Sequence, residues 1–284
     1  MSDNSNYNSF STNRSNGESS FLESNSLVAK FAFLLAVIFG FIILLKFGAS
    51  LIAYFMSPSH SPQLINGMVD AKNAIIFSQD PSGNNNGAVT IYRSINANQG
   101  LEFTWSVWIY INSLQYLQGQ YRHIFYKGNS NLATSGLNFP NNAPGLYLAP
   151  ESNKLVVMMN TFDVINEEIT VPDIPLNKWL SVIIRCQNKT LDVYINGTIA
   201  RSLQLTSVPK QNYGNVYVGM NGGFDGYISN LHYYNYALGT VGIQNIAMRG
   251  PNTKMIGSDG LGLKDSNYLS LKWYFNDTHD QFNP

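Results

Sequence analysis

PLNKWLSVIIRCQNKTLDVYINGTIARSLQL, residues 175–205, is followed by GNVYVGMNGGFDGYISNLHYYNYAL, residues 214–238. Together these two stretches decide the fold. Residues 179–186 are rich in β-branched and aromatic side chains and stop at the polar Gln187-Asn188-Lys189. Residues 190–195 alternate, with Leu191, Val193 and Ile195 on one face and Asp192 and Tyr194 on the other. Asn196-Gly197 comes next. That dipeptide most readily takes the positive φ angles of a two-residue type I′ hairpin, whose twist matches that of paired strands. Residues 199–205 return as the partner strand. Residues 215–219 predict a further strand, Gly222-Gly223 a turn, and residues 226–234 a long strand. In that last strand the apolar positions Phe224, Ile228, Leu231 and Tyr233 include one step of three. One extra residue in a β-bulge near Ser229-Asn230 produces such a step.

The pattern continues upstream. Along residues 101–111, Phe103, Trp105, Val107, Ile109 and Ile111 face one way, while Glu102, Thr104, Ser106, Trp108 and Tyr110 face the other. The first set belongs in a core, at about 1.5–3 kcal/mol per fully buried large side chain. Strands are also expected at residues 74–78, 88–95, 122–127, 145–148 and 154–160, and residues 169–175 lead into Trp179. Residues 239–249 suit one short helix, and residues 269–275 (LSLKWYF) suit a last strand returning to the sheet.

The ordered set Trp179, Thr190-Leu191, Val193-Tyr194-Ile195-Asn196-Gly197, Val216, Val218-Gly219 and Phe224-Asp225-Gly226, closing with Leu231, Tyr234-Asn235 and Ala237-Leu238, resembles the laminin G-like and pentraxin-like branch of the concanavalin A-like jelly rolls. The resemblance covers residues 101–247. It implies an all-β, antiparallel two-sheet jelly-roll sandwich. It also implies a binding module whose ligands are glycans or glycosylated proteins. Gly250-Pro251-Asn252 with the terminal Trp273-Tyr274-Phe275, and residues 91–94 with 102–106, resemble membrane-anchored proteins of this fold in large DNA viruses. A structural part of a virion membrane or coat, with protein neighbours and no sugar site, is therefore the alternative function.

Ahead of the sandwich the chain changes character. Residues 1–26 are mostly Ser and Asn and cannot bury enough apolar surface to offset their ordering entropy, which predicts a disordered tail. Residues 27–56 are apolar apart from Lys30, Lys46 and a few small or amphipathic residues, long enough for a single transmembrane helix. Lys30 and Lys46 can reach opposite interfaces, and Tyr54 suits the headgroup level. Arg14 and Lys30 flank the N-terminal side, placing the tail in the cytoplasm and the domain across the membrane. Residues 57–66 are a linker, and 67–284 the jelly-roll domain.

Charge excludes one large class of partner. The 284 residues carry 17 basic and 17 acidic side chains, a formal net charge of zero, and no Lys/Arg stripe, so nucleic acid is not expected as a ligand. The single cysteine, Cys186, precludes an intramolecular disulfide and shares its strand face with Leu180, Val182 and Ile184.

The chemistry of hydrolysis is missing. Glucanases of this superfamily carry carboxylates in an E-x-D-x-x-E pattern, and retaining enzymes need two about 5–5.5 Å apart. The glutamates here are Glu18, Glu23, Glu102, Glu151, Glu167 and Glu168, and none has an acidic residue two positions on. The histidines are scattered, and no nucleophile or zinc motif occurs. A non-enzyme is expected. No cofactor is expected either, with calcium the exception to weigh, because laminin G-like and pentraxin-like relatives often bind it at the sandwich rim. A calcium site needs six to eight oxygens. Asn160 with Asp163, and Asn221 with Asp225, are the candidates, although neither pair forms a carboxylate cluster. In relatives the aspartate of Phe-Asp-Gly holds the turn into its strand, the role expected of Asp225. The candidate ligand-binding residues are Trp108, Tyr110, Asn221 and Asp225. Sequons fall at Asn13, Asn188, Asn196 and Asn276; of these, Asn188, Asn196 and Asn276 are the glycosylation candidates.

Overall fold

Residues 27–80, 88–94, 96–97 and 100–256 are described by the computed structural model. They fall into two units that divide between Ser57 and Pro58. The first unit holds α1 (Leu27–Met56), 30 residues long. At 1.5 Å per residue it measures about 45 Å, more than the ~30 Å of a hydrocarbon core. Phe31, Phe39, Ile43, Phe47 and Phe55 are all exposed, so its apolar surface runs right round the helix. Among the described residues it is the one helix long and apolar enough to cross a membrane. Lys30, Lys46 and Tyr54 are exposed on it.

The second unit contains β1 (Met68–Asp70), β2 (Ile75–Phe77), β3 (Asn96–Ala97), β4 (Gly100–Ser113), β5 (Arg122–Gly128), β6 (Gly145–Leu148), β7 (Lys154–Met159), β8 (Glu167–Pro172), β9 (Trp179–Gln187), β10 (Thr190–Ile195), β11 (Thr198–Gln204), β12 (Asn215–Val218), β13 (Asp225–Tyr234) and α2 (Thr240–Arg249). One sheet has the order β1-β13-β4-β9-β10-β11, with β3 paired to β4; the other runs β2-β12-β5-β6-β7-β8. Every pairing between these strands is antiparallel. This is the jelly-roll sandwich expected. Its core is the inward alternation of both sheets, including Phe103, Trp105, Ile109, Phe125, Leu146, Val157, Ile184, Val193 and Phe224. Cys186 lies in it fully buried, and burial pushes its thiol up to about 12.

Local chemistry sets the register. Asn196 (φ 50°) and Gly197 (φ 82°) form the expected tight hairpin, with Ile195 opposite Thr198. The Asn196 side-chain oxygen accepts a hydrogen bond from the Ser181 amide, 3.0 Å, tying the turn to β9. In β13 the pairing with β4 steps from Ser229↔Trp108 to His232↔Ser106, one residue extra on β13, and Asn230 has φ 50°. The bulge keeps Ile228, Leu231 and Tyr233 on the core side of the step.

Two expectations need correction. Residues 88–94 form no strand. Ile91 is buried in the core, but the backbone around it is held piecemeal: the Val89 amide donates to Ser78, Ser94 Oγ accepts from the Glu102 amide, and Tyr92 O accepts from Tyr233 Oη. Residues 60–66, assigned to a linker, run along β13. Tyr233 N donates to Pro62 O, Leu64 N and Ile65 N donate to Leu231 O, and Ile65 is fully buried. The apolar content of Leu64-Ile65 outweighs the flanking prolines. β8 begins at Glu167, which turns inward to accept hydrogen bonds from Thr161 and Thr206. The expected strand at 269–275, Asn13, Asn276 and the tail 1–26 lie outside the described residues.

Candidate functional site

The outer face of the seven-stranded sheet carries the candidate site. On β4 the residues pointing away from the core are Thr104, Ser106, Trp108 and Tyr110; on β13 they are Tyr227, Ser229, His232 and Tyr234. The bulge decides the second set, since beyond Asn230 the outward positions shift by one. Helix α2 covers one part of this face. Ile243 packs on Ile183 and Leu238, and Gln244 Nε2 donates to Gly197 O over 2.8 Å, which fixes the helix over the β10–β11 turn. The helix ends at Arg249. Gly250 then takes φ 77°, a conformation that favours glycine, and the chain turns back along the sheet. Residues 252–256 settle beside β1, where Ser229 Oγ donates to Asn252 O and Met68 N donates to Lys254 O.

Between α2, this returning segment and β13 is a cleft of about 300 Å³. Trp108 and Ser106 lie at its base, and Trp108 is buried. His232 and Tyr234 stack face to face, centroids 4.3 Å apart and planes inclined by 12°, and form one wall. Gln63, Asn66, Asn230 and Asn252 supply amides around the mouth, and Arg249 supplies a guanidinium. Among the described residues, no Asp or Glu lines it. His232 Nε2 donates to Ser61 O at 2.9 Å, since a carbonyl can only accept. Burial, together with the nearby Arg249 charge, holds this imidazole below its ordinary value despite that hydrogen bond. Among the described residues that line the cleft, Arg249 is the one that brings a fixed charge near neutral pH.

Beside the cleft, three half-exposed aromatics lie level on three adjacent strands. Tyr110 is opposite both Trp179 and Tyr227, with ring centroids 5.5 Å and 6.2 Å away. Flat apolar faces flanked by amides are the combination that pyranose rings require, because such rings offer C–H faces and hydroxyl edges together.

Of the residues expected to bind ligand, Trp108 enters the cleft and Tyr110 the aromatic trio. Asn221 and Asp225 lie in neither. Asn221 Nδ2 donates to Gln120 Oε1 at 3.2 Å, and Asp225 pairs with Lys72 at 2.6 Å at the start of β13. Among the calcium candidates, Asn160 uses its amide on Asn142 N and Pro140 O, and Asp163 is exposed. Among the described residues no group of three or more His, Cys, Asp or Glu could hold a metal. Sequon residues Asn188 and Asn196 are both exposed. Sequence reasoning missed Trp179, Tyr227, His232, Tyr234 and Arg249. The period of two, counted on both sides of the bulge, would have put Tyr227, His232 and Tyr234 with Trp108 and Tyr110; nothing local marks Arg249.

Comparison with known proteins places this architecture. A family model described as the concanavalin A-like lectin/glucanases superfamily matches residues 82–244. The chain belongs to that superfamily. Among curated proteins, none matches. Solved structures similar to the chain include the ligand-binding domain of botulinum neurotoxin serotype D in complex with N-acetylneuraminic acid, at 15% identity and a TM-score of 0.45, covering 66% of this chain and 42% of that one. Others are the binding domain of botulinum neurotoxin serotype D/C VPI 5993 (17%, TM-score 0.41, 52% and 36% covered) and the neurotoxin DC binding domain in complex with rat synaptotagmin II (15%, 0.41, 52% and 36%). The chain therefore spans less than half the length of these structures.

Proposed function

We propose that this chain is a non-enzymatic, membrane-anchored module that binds glycans or glycosylated proteins on the outer face of its seven-stranded sheet. The observation that carries the reading is the cleft itself. It joins a Trp108 base, the stacked His232–Tyr234 wall, four amides and Arg249, with the Tyr110–Trp179–Tyr227 trio next to it. Membership of a superfamily named for lectins as well as glucanases supports the same reading. Hydrolysis of a glycoside would need a carboxylate pair, and the described residues that line the cleft offer aromatic, amide and guanidinium groups instead. Helix α1 is the anchor, with the tail before it in the cytoplasm and the sandwich on the far side.

The test is glycan-array binding by the full chain in lipid nanodiscs, run with calcium and again with chelator. Saturable binding to one glycan class, reduced tenfold or more by Trp179→Ala and by Arg249→Ala, is expected. Tenfold corresponds to about 1.4 kcal/mol. Loss on chelation would return Asn160, Asp163 and Asp225 to consideration as calcium ligands. A clean negative from folded protein would overturn the glycan reading in favour of a structural virion or coat protein that uses the sandwich as a scaffold.

A further inference from the structure

The loops at one end of the sandwich expose an apolar rim that takes no part in the cleft. That end is where β4 begins and where β5, β7, β9, β11 and β13 finish. Phe162 is 65% exposed and Tyr213 76%, and Phe139, Val164, Ile165 and Val208 are exposed with them. Contacts between these loops join them into one surface. Phe162 N donates to Val208 O, and the Lys210 ammonium lies 5.4 Å from the Phe162 ring centre. Asn160 Nδ2 donates to Pro140 O beside Phe139. Arg93 donates to Gln211 Oε1 and Tyr213 Oη at 3.2 and 3.0 Å and lies over the Tyr213 ring. Asp163 is the carboxylate within the 162–165 stretch.

The chain also joins the sandwich at this end. His60 stacks on Tyr92, centroids 5.0 Å apart, and its carbonyl accepts from Asn235 N just beyond β13. Only Ser57, Pro58 and Ser59 separate His60 from the last residue of the apolar helix, and each residue can span at most about 3.6 Å. A bilayer that holds α1 is thus within a short tether of the apolar rim.

We infer that this rim is a membrane-contacting surface, and that its partner is the lipid interface of the bilayer that anchors the chain. Aromatic and aliphatic tips with Arg and Lys among them are the composition that the headgroup boundary accepts: the rings and methyls enter the acyl edge while the cations meet phosphates. Rim contact orients the sandwich with Tyr110, Trp179 and Tyr227 toward its opposite end, where Asp225 pairs with Ser113 and the trio faces away from the lipid. The inference rests on α1 being a membrane span.

The experiment uses the full chain in liposomes, with Phe162→Cys, Tyr213→Cys and Glu151→Cys labelled by a polarity-sensitive fluorophore. Native Cys186 is fully buried, so labelling goes to the introduced thiol. Glu151 lies in the exposed β6–β7 turn at the opposite end and is the control. Vesicle flotation reports the anchor, and quenching by doxyl-labelled lipid reports the rim. The expected result is flotation, with a blue shift and lipid quenching at 162 and 213 and neither at 151. Flotation with all three labels alike overturns the rim while leaving the anchor standing. A blue shift at 162 and 213 without lipid quenching also overturns it, in favour of a protein occupant. Failure to float removes the anchor and the rim together.

Discussion

The outer faces of the two sheets start from similar side chains and end as different surfaces. On the six-stranded sheet, Tyr126 and Tyr147 are fully buried, and Tyr217, Val156 and Met158 join them. Residues 129–144 fold over that face, bringing Leu132 and Leu137 onto the rings. Tyr147 Oη donates to Asn142 Oδ1 at 2.7 Å and accepts from Asn138 N at 3.3 Å, which bolts the loop down. On the seven-stranded sheet the cover among the described residues is helix α2 and the segment after it, narrower than the face beneath. A cleft and three aromatic rings stay open there. Aromatic content alone does not make a binding surface; the breadth of what lies over it decides.

Breaking the sealed face should have the largest effect. Tyr147→Ala removes a buried ring and the anchor of the 129–144 loop, and should cost about 3–5 kcal/mol, as for other buried aromatics. Denaturant unfolding measures it; a loss below 1 kcal/mol would mean that the loop does not depend on the ring. The same face predicts acid sensitivity. His123 is buried against Tyr126 and Tyr147, accepts from Met220 N through Nδ1, and is held down to about 3 by burial. The unfolded chain takes up a proton near pH 6.5 while the folded chain does not. Stability therefore falls as pH drops below that value, by about 1.4 kcal/mol per pH unit until the folded value is reached. His123→Gln should show a shallower acid slope than the parent in urea titrations between pH 6.5 and 4, and equal slopes would refute the assignment.

A smaller effect of opposite sign is expected at Tyr126. Its hydroxyl is buried with no hydrogen-bond partner among the described residues, so Tyr126→Phe should raise stability by about 1 kcal/mol. The open face should respond the other way round. Trp179→Ala exposes a half-covered position and should cost about 1 kcal/mol or less in unfolding, while lowering glycan affinity tenfold or more. If stability falls as far as in Tyr147→Ala, the trio is core and the two faces are alike.

Much of the fold was legible along the chain. The alternation in β4, the Asn196-Gly197 hairpin and the three-residue step in β13 each follow from a local period and one turn preference. Residues 88–94 and 60–66 were misjudged for a shared reason: both are held by irregularly spaced hydrogen bonds to residues outside the segment, Ser78, Glu102 and Tyr233 in one case and β13 in the other. No local pattern reports such partners. The site was half legible. Trp108 and Tyr110 stand out because large aromatics on the polar face of a strand break its alternation. Asn221 and Asp225 were singled out for their chemistry, yet tertiary neighbours engage them, Gln120 with the first and Lys72 with the second.

The sequence by itself determined the apolar helix, the antiparallel sandwich, the register of its hairpin and the absence of a hydrolytic carboxylate pattern, because each depends on spacings within a few residues. The tertiary structure alone decided which aromatics remain open. Tyr110, Trp179 and Tyr227 come from strands far apart in the chain and meet only through pairing. Arg249 reaches the cleft only because α2 ends at a left-handed glycine above β13. Loop 129–144 seals one face while a ten-residue helix leaves the other partly bare. Burial depends on what lies across the sheet, and that is a property of the folded chain.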